Sequence, residues 1–148
     1  MENKKPQYYE DFVQALRDKM NRDKRKRYYI TGAPQCPRPD ESIPKGALSR
    51  MDLVWVQFYN NPPCMLGTPT FVQSFKDWAA DLPNVKIYVG APACPQCAGS
   101  GYQEASKLKE LIGPVKGVKN FGGIMLWEAS KAKLNGDYAR KSKDMLRV

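Results

Sequence analysis

The 148-residue chain contains no histidine. That absence removes Ser-His-Asp and Cys-His nucleophilic catalysis, and every His-ligated metal site with them. No apolar run approaches the ~18 residues of a membrane span, so no membrane partner is expected. The first residues, Met1-Glu2-Asn3-Lys4-Lys5-Pro6, have no apolar stretch behind them and are not expected to act as a secretory signal. Low-complexity linkers and close internal repeats are also missing. What remains is globular: 42% hydrophobic, 26% charged and 16 aromatic residues. The length suits one domain, able to bury roughly 68–70% of its unfolded surface.

The net charge of +9 arises from 24 Lys+Arg against 15 Asp+Glu. Its densest cluster runs from Arg17 to Arg27, with Asp18 and Asp23 interleaved. This reads as a solvated helix end and the turn after it, and no nucleic-acid partner is expected, because the cations are not clustered with aromatics on one face.

Helical and strand patterns alternate along the chain. A helix is expected near Gln7 to Met20, with Tyr9, Phe12, Val13, Leu16 and Met20 at helical spacing. A strand at Tyr28 to Gly32 precedes the loop Ala33-Pro34-Gln35-Cys36-Pro37. Met51 to Tyr59 is the clearest strand, apolar on both faces, as suits a parallel strand covered on each side. Pro69 opens a helix whose stripe is Phe71, Val72, Phe75, Trp78, Ala79 and Leu82. A strand at Val85 to Gly90 leads through a small-residue loop to a helix near Tyr102 to Ile112, which Gly113-Pro114 is expected to stop. Phe121 to Trp127 is the fourth strand, and Asp137 to Arg147 a closing helix. This alternation predicts an α/β fold with a parallel sheet. Pattern alone favours a small doubly wound sheet over part of a (β/α)8 barrel, since a complete barrel needs about 250 residues.

In parallel α/β folds ligands bind at the carboxyl ends of the strands. Those positions hold Gln57, Tyr59, Asn60 and Trp127, which supply amide, hydroxyl and indole groups and no metal ligands. An aromatic floor with amide and phenol donors suits a neutral sugar; packing of Phe58, Tyr59 and Trp127 within a core is the equal alternative. No metal or cofactor is expected.

The segments YYITGAPQCPRPD (Tyr28 to Asp40), VWVQFYNNPPC (Val54 to Cys64), GAPA…AGSGY (Gly90 to Tyr102) and FGGIMLW (Phe121 to Trp127) resemble, in order and spacing, the carboxyl half of class III, hevamine-like chitinases of glycoside hydrolase family 18. The resemblance implies a (β/α)8 TIM barrel, of which residues 1–148 would be a single partial catalytic domain holding one helix and about four βα units. It implies an endochitinase acting on β-1,4-linked N-acetylglucosamine polymers by a retaining, substrate-assisted reaction. Carried over by position, Glu2 matches the catalytic acid, with Tyr8-Tyr9-Glu10-Asp11-Phe12 at matching spacing behind it. Tyr59 would bond the substrate acetamide, Gln57 and Asn60 would help hold the sugar, and Trp127 would floor its subsite. The Asp-x-x-Asp-x-Asp part of the family signature has no counterpart, so the chain alone is expected to be a truncation, inactive and prone to self-association through open barrel edges. The chitinase-like lectins and inhibitors offer a non-enzymatic alternative.

Four cysteines complete the reading. Cys36 and Cys64 match positions that are disulfide-bonded in the family, which implies a secreted, extracellular protein. Cys94 and Cys97 depart from the family pattern; a local disulfide or idle thiols is expected there rather than a redox motif or a zinc site.

Overall fold

The computed structural model describes residues 7–147. Helix α1 (Tyr9–Arg22) is followed by β1 (Thr31–Gly32), α2 (Lys45–Leu48), β2 (Leu53–Gln57), α3 (Phe71–Asp81), β3 (Lys86–Pro92), α4 (Ala105–Lys116), β4 (Phe121–Trp127), α5 (Ala129–Leu134) and α6 (Tyr138–Asp144). The four strands form one parallel sheet in the order β1-β2-β3-β4.

That order decides the architecture. A doubly wound sheet reverses its strand order and covers both faces with helices; here the order never reverses. Register pairs Val54 with Ile87 and Val56 with Val89, and all four side chains are fully buried. The alternate residues Trp55, Gln57 and Tyr88 are only half-buried. One face of the sheet is therefore packed under helices and the other lines an inner surface, as in half of a (β/α)8 barrel. The doubly wound expectation is corrected by this geometry. So is the expectation that β2 is covered on each side: Trp55 and Gln57 face the inner surface.

The outer layer is built mainly by α3, whose stripe behaves as its spacing predicts. Phe71, Phe75, Trp78, Ala79 and Leu82 are buried. Phe58, just beyond β2, meets the Phe71 ring edge-on at 5.1 Å and lies 6.0 Å from Phe75. The Trp78 indole N–H donates to the Cys36 carbonyl at 2.9 Å, fastening α3 to the loop after β1. Buried Asn120 donates to the carbonyls of Ala79, Leu82 and Val85, tying the end of α3 to the start of β4.

Three local expectations are corrected. The first strand is shorter than Tyr28 to Gly32 because the Ile30 N–H bonds the Asp52 carboxylate instead of a strand partner, at 2.7 Å. Helix α4 runs through Pro114 to Lys116. Gly113 has no Cβ to meet the proline ring, and buried Ile112 and Val115 hold the last turn to the core. Phe12, placed on the apolar stripe of α1, is 56% exposed; among the described residues of that helix only Val13 is buried.

Candidate functional site

Strand alternation sets which side chains reach the inner surface. Gln57, Gly90 and Met125 are register partners across β2, β3 and β4, and one step further toward the carboxyl ends Pro92 pairs with Trp127. Phe58 points into the helix layer, so alternation returns Tyr59 to the inner side. The carboxyl ends of β2 and β4 thus bring Gln57, Tyr59 and Trp127 to one end of the sheet.

Their environments differ. Trp127, at the end of the edge strand β4, is 55% exposed. Its carbonyl accepts from the Ala93 N–H at 2.7 Å. The Asn135 side chain donates to the Ala93 carbonyl at 2.9 Å and to the Tyr102 hydroxyl at 3.0 Å, bracing the same loop from behind. Burial pushes the Tyr102 phenol up in pKa, so it remains a neutral hydrogen-bonding group. Tyr59 is 5% exposed, with Gly101 against its backbone.

The amide groups carry structural bonds of their own. Gln57 donates through its side-chain nitrogen to the Ala33 carbonyl at 2.8 Å, and its backbone N–H bonds Pro34 at 2.8 Å. Asn60, grouped by sequence with the sugar-binding residues, accepts from the Gly99 and Ser100 N–H groups through Oδ1, at 2.8 and 3.2 Å. Its carboxamide oxygen therefore fastens the loop after β3 to the loop after β2. Asn61, which the sequence reading did not single out, donates to Gln35 at 3.0 Å and to the Tyr59 carbonyl at 3.1 Å. A polar cleft beside them is lined by Gln35, Asp40, Ser42 and Asn61. The consecutive Asn60-Asn61 pair was the available signal.

Cys36 and Cys64 form a disulfide joining the loops after β1 and β2, and Cys94 and Cys97 form a second, within the loop after β3. All four cysteines are thus paired. Among the described residues there is no cluster of three or more acidic, cysteine or histidine side chains able to hold a metal. Glu2 lies outside the described residues.

No protein-family model matches the chain. It is 39% identical over 138 residues to Endochitinase 3 of Metarhizium robertsii, a match covering 91% of this chain and 44% of that protein. The crystal structure of the chitinase ICChI from Ipomoea carnea superposes with a TM-score of 0.83 at 33% identity, over 94% of this chain and 52% of that one. The xylanase and α-amylase inhibitor protein XAIP-II from Scadoxus multiflorus superposes with a TM-score of 0.81 at 31% identity, over 94% and 52%. The chain spans about half the length of the relatives it matches.

Proposed function

Because the chain belongs to the class III chitinases of glycoside hydrolase family 18, we propose that its strand ends form the substrate wall of an endochitinase site for β-1,4-linked N-acetylglucosamine chains. The observation that carries the proposal is the exposed Trp127 indole at the end of β4, on the same inner surface as Gln57 and Tyr59. An indole exposed at a strand end offers an apolar plate to the C–H face of a sugar ring. The Tyr59 phenol donates to the acetamide carbonyl, aligning that oxygen to attack the anomeric carbon of its own sugar. Glu2, as a carboxylic acid, protonates the departing glycosidic oxygen, and its carboxylate then takes a proton from the water that opens the cyclised acetamide. Gln57, anchored to Ala33, holds the edge of the same sugar, and Asn60 fixes the loop that carries Tyr59. The disulfides favour a secreted protein.

The aspartates that would orient the acetamide and tune the acid have no counterpart in residues 1–148, so these residues alone are expected to bind chitooligosaccharide without cleaving it. Calorimetric titration with chitohexaose tests this. Trp127→Ala is expected to weaken binding roughly tenfold through lost stacking, and Tyr59→Phe by a smaller factor. No binding by the wild-type chain, or equal binding by Trp127→Ala, overturns the proposal. The likeness to XAIP-II supports a second reading, in which the chain is a non-enzymatic inhibitor. Inhibition of a xylanase or an α-amylase that chitohexaose does not relieve would select it.

A further inference from the structure

At the amino-terminal side of the sheet, away from Trp127, lies the densest charge in the chain. From Arg17 to Arg27 seven cations stand against two carboxylates, a net of +5 out of +9. Helix electrostatics explains part of this, since Lys19 and Arg22 occupy the last turn of α1, where cations complement the carbonyl end. Lys24, Arg25, Lys26 and Arg27 lie beyond the helix, where that benefit has faded.

The carboxylates within the cluster are already engaged. Asp18 accepts from the Gln14 amide at 2.9 Å, and Arg17 of the cluster is spent on Asp52, outside it, at 2.8 Å. Arg25 grips both oxygens of Asp23 at 2.9 Å each, and the Tyr28 hydroxyl adds a further bond, which together hold that carboxyl well below the usual carboxylate range. Among the described residues Lys19, Arg22, Lys24, Lys26 and Arg27 have no ion-pair partner. Two clefts flank the Asp23–Tyr28 ridge. One, of about 410 Å³, is lined by Lys24, Lys26, Arg27 and Tyr28 together with the ion-paired carboxylates Asp23 and Asp52; the other, of about 640 Å³, by Lys19, Arg22, the Asp23–Arg25 pair and the apolar edge of Leu16 and Met20. Aromatic rings are interleaved after all: Lys26 Nζ sits 5.0 Å from the Tyr28 ring centre and Arg27 Cζ 4.9 Å from that of Tyr29. Tyr29 is 51% exposed.

We infer that this end of the molecule binds an acidic polysaccharide, with its carboxylate or sulfate groups on Lys24, Lys26 and Arg27 and a sugar ring against Tyr29. A nucleic acid would satisfy the same charges. The two disulfides favour the glycan, because they belong to oxidising compartments rather than to the cytosol or nucleus. The inference is independent of what the opposite ends of the strands bind.

Binding of the full chain to heparin and to polygalacturonate is measured by calorimetry across a salt series, with duplex DNA as the competing probe. Lys24→Ala/Lys26→Ala/Arg27→Ala is expected to weaken glycan binding roughly tenfold and to flatten its salt dependence. Lys76→Ala/Lys109→Ala/Lys143→Ala removes the same charge from exposed positions on α3, α4 and α6 and is expected to leave binding within about twofold. The milder pair Lys26→Gln/Arg27→Gln, checked for an unchanged melting temperature, excludes misfolding as the cause. Equal losses in both triple variants would show that only net charge matters and overturn the inference. So would tighter binding of DNA than of both glycans at the same salt, or no glycan retention at physiological salt.

Discussion

Replacing Gly101 with alanine perturbs the point where the loop after β3 crosses the end of β2. Gly101 has φ +93°, and a Cβ built on it would lie 2.9 Å from both the Cα and the Cβ of Tyr59. The left-handed conformation costs a residue with a Cβ about 1–2 kcal/mol. Forcing two carbon contacts that are too close adds about 1–3 kcal/mol, because the atoms that must yield are backbone and first side-chain carbons rather than a flexible tip. Together the penalty is about 2–5 kcal/mol, which for a chain of this size lowers the melting temperature by roughly 4–20 °C. Relief by a shift of Tyr59 would displace a proposed sugar contact, so chitohexaose affinity falls alongside stability. Gly117→Ala is the opposite-signed control: its φ is −79° and an added Cβ meets nothing within 4 Å, so it is expected to gain about 0.4–1 kcal/mol through the unfolded chain. Circular dichroism melts of both variants, with titrations of the folded samples, provide the readout. A Gly101→Ala variant melting within 1–2 °C of wild type would refute the reasoning, because the proposed overlap would then be absorbed at no cost.

Further expectations concern the cross-links and the ionic and polar ties. Cys36→Ser/Cys64→Ser opens a loop with a sequence separation of 28 and should cost roughly 3–4 kcal/mol on chain entropy. Cys94→Ser/Cys97→Ser, with a separation of 3, should cost roughly 2 kcal/mol; urea midpoints that reverse this order would contradict the assignment. Hydrogen bonds from Lys45 and Arg38 hold the Asp81 carboxyl below its ordinary value of 3.8. Since the folded pKa is the lower one, this contribution is present above pH 3.8 and lost as pH falls through the folded pKa. Asp81→Asn is therefore expected to melt slightly below wild type at pH 7, the gap closing under acid conditions; a gap that persists at low pH would assign the loss to packing instead. Tyr138→Phe removes a hydroxyl that donates to the Gln103 carbonyl at 2.7 Å and should lower stability by about 1–2 kcal/mol in chemical denaturation.

The parts of the fold legible in the sequence are those where burial imposes a period. Phe121 to Trp127 was readable as an unbroken apolar run, although β4 buries only Gly123 outright, and the stripe from Phe71 to Leu82 because helical spacing sets one buried face against the core. The short pieces left no such mark. Helix α2 is four residues and buries only Ala47 and Leu48; α5 buries only Ala132. One turn contributes one or two apolar residues, too few to distinguish from a loop. The residues expected to form one closing helix, Asp137 to Arg147, divide into α6 and a terminal 3-10 turn, with Asp137 in the left-handed conformation at the start of α6; α5 precedes them. Composition could not separate a barrel from a doubly wound sheet either, because both are strand-helix alternations. The difference lies in which neighbour each strand takes and which face the helices cover, and those are properties of pairing rather than of any segment.

The same logic divides the candidate site. Gln57, Tyr59 and Trp127 stood out in the sequence because they lie at the carboxyl ends of expected strands, where parallel α/β folds bind ligands; which face of the sheet they take came from its strand pairing. Asn60 could not be understood that way. It sits at φ +62° just past the strand, and its side chain is occupied by amides 39 and 40 residues further along the chain. Gly101, reached by the same loop, closes over Tyr59 from the other side. A turn residue's side chain follows the loop it must satisfy, not the period of the strand before it, so amide residues beyond a strand end tend to be fasteners even in a strongly recognisable motif. On the proposed function, binding at this site would depend on Asn60 through the placement of Tyr59. Asn60→Ala is expected to lower stability and sugar affinity together, whereas Trp127→Ala lowers affinity alone. Paired melting and chitohexaose titrations separate the two patterns; an Asn60→Ala variant with wild-type stability and reduced affinity would return that residue to direct contact with the sugar.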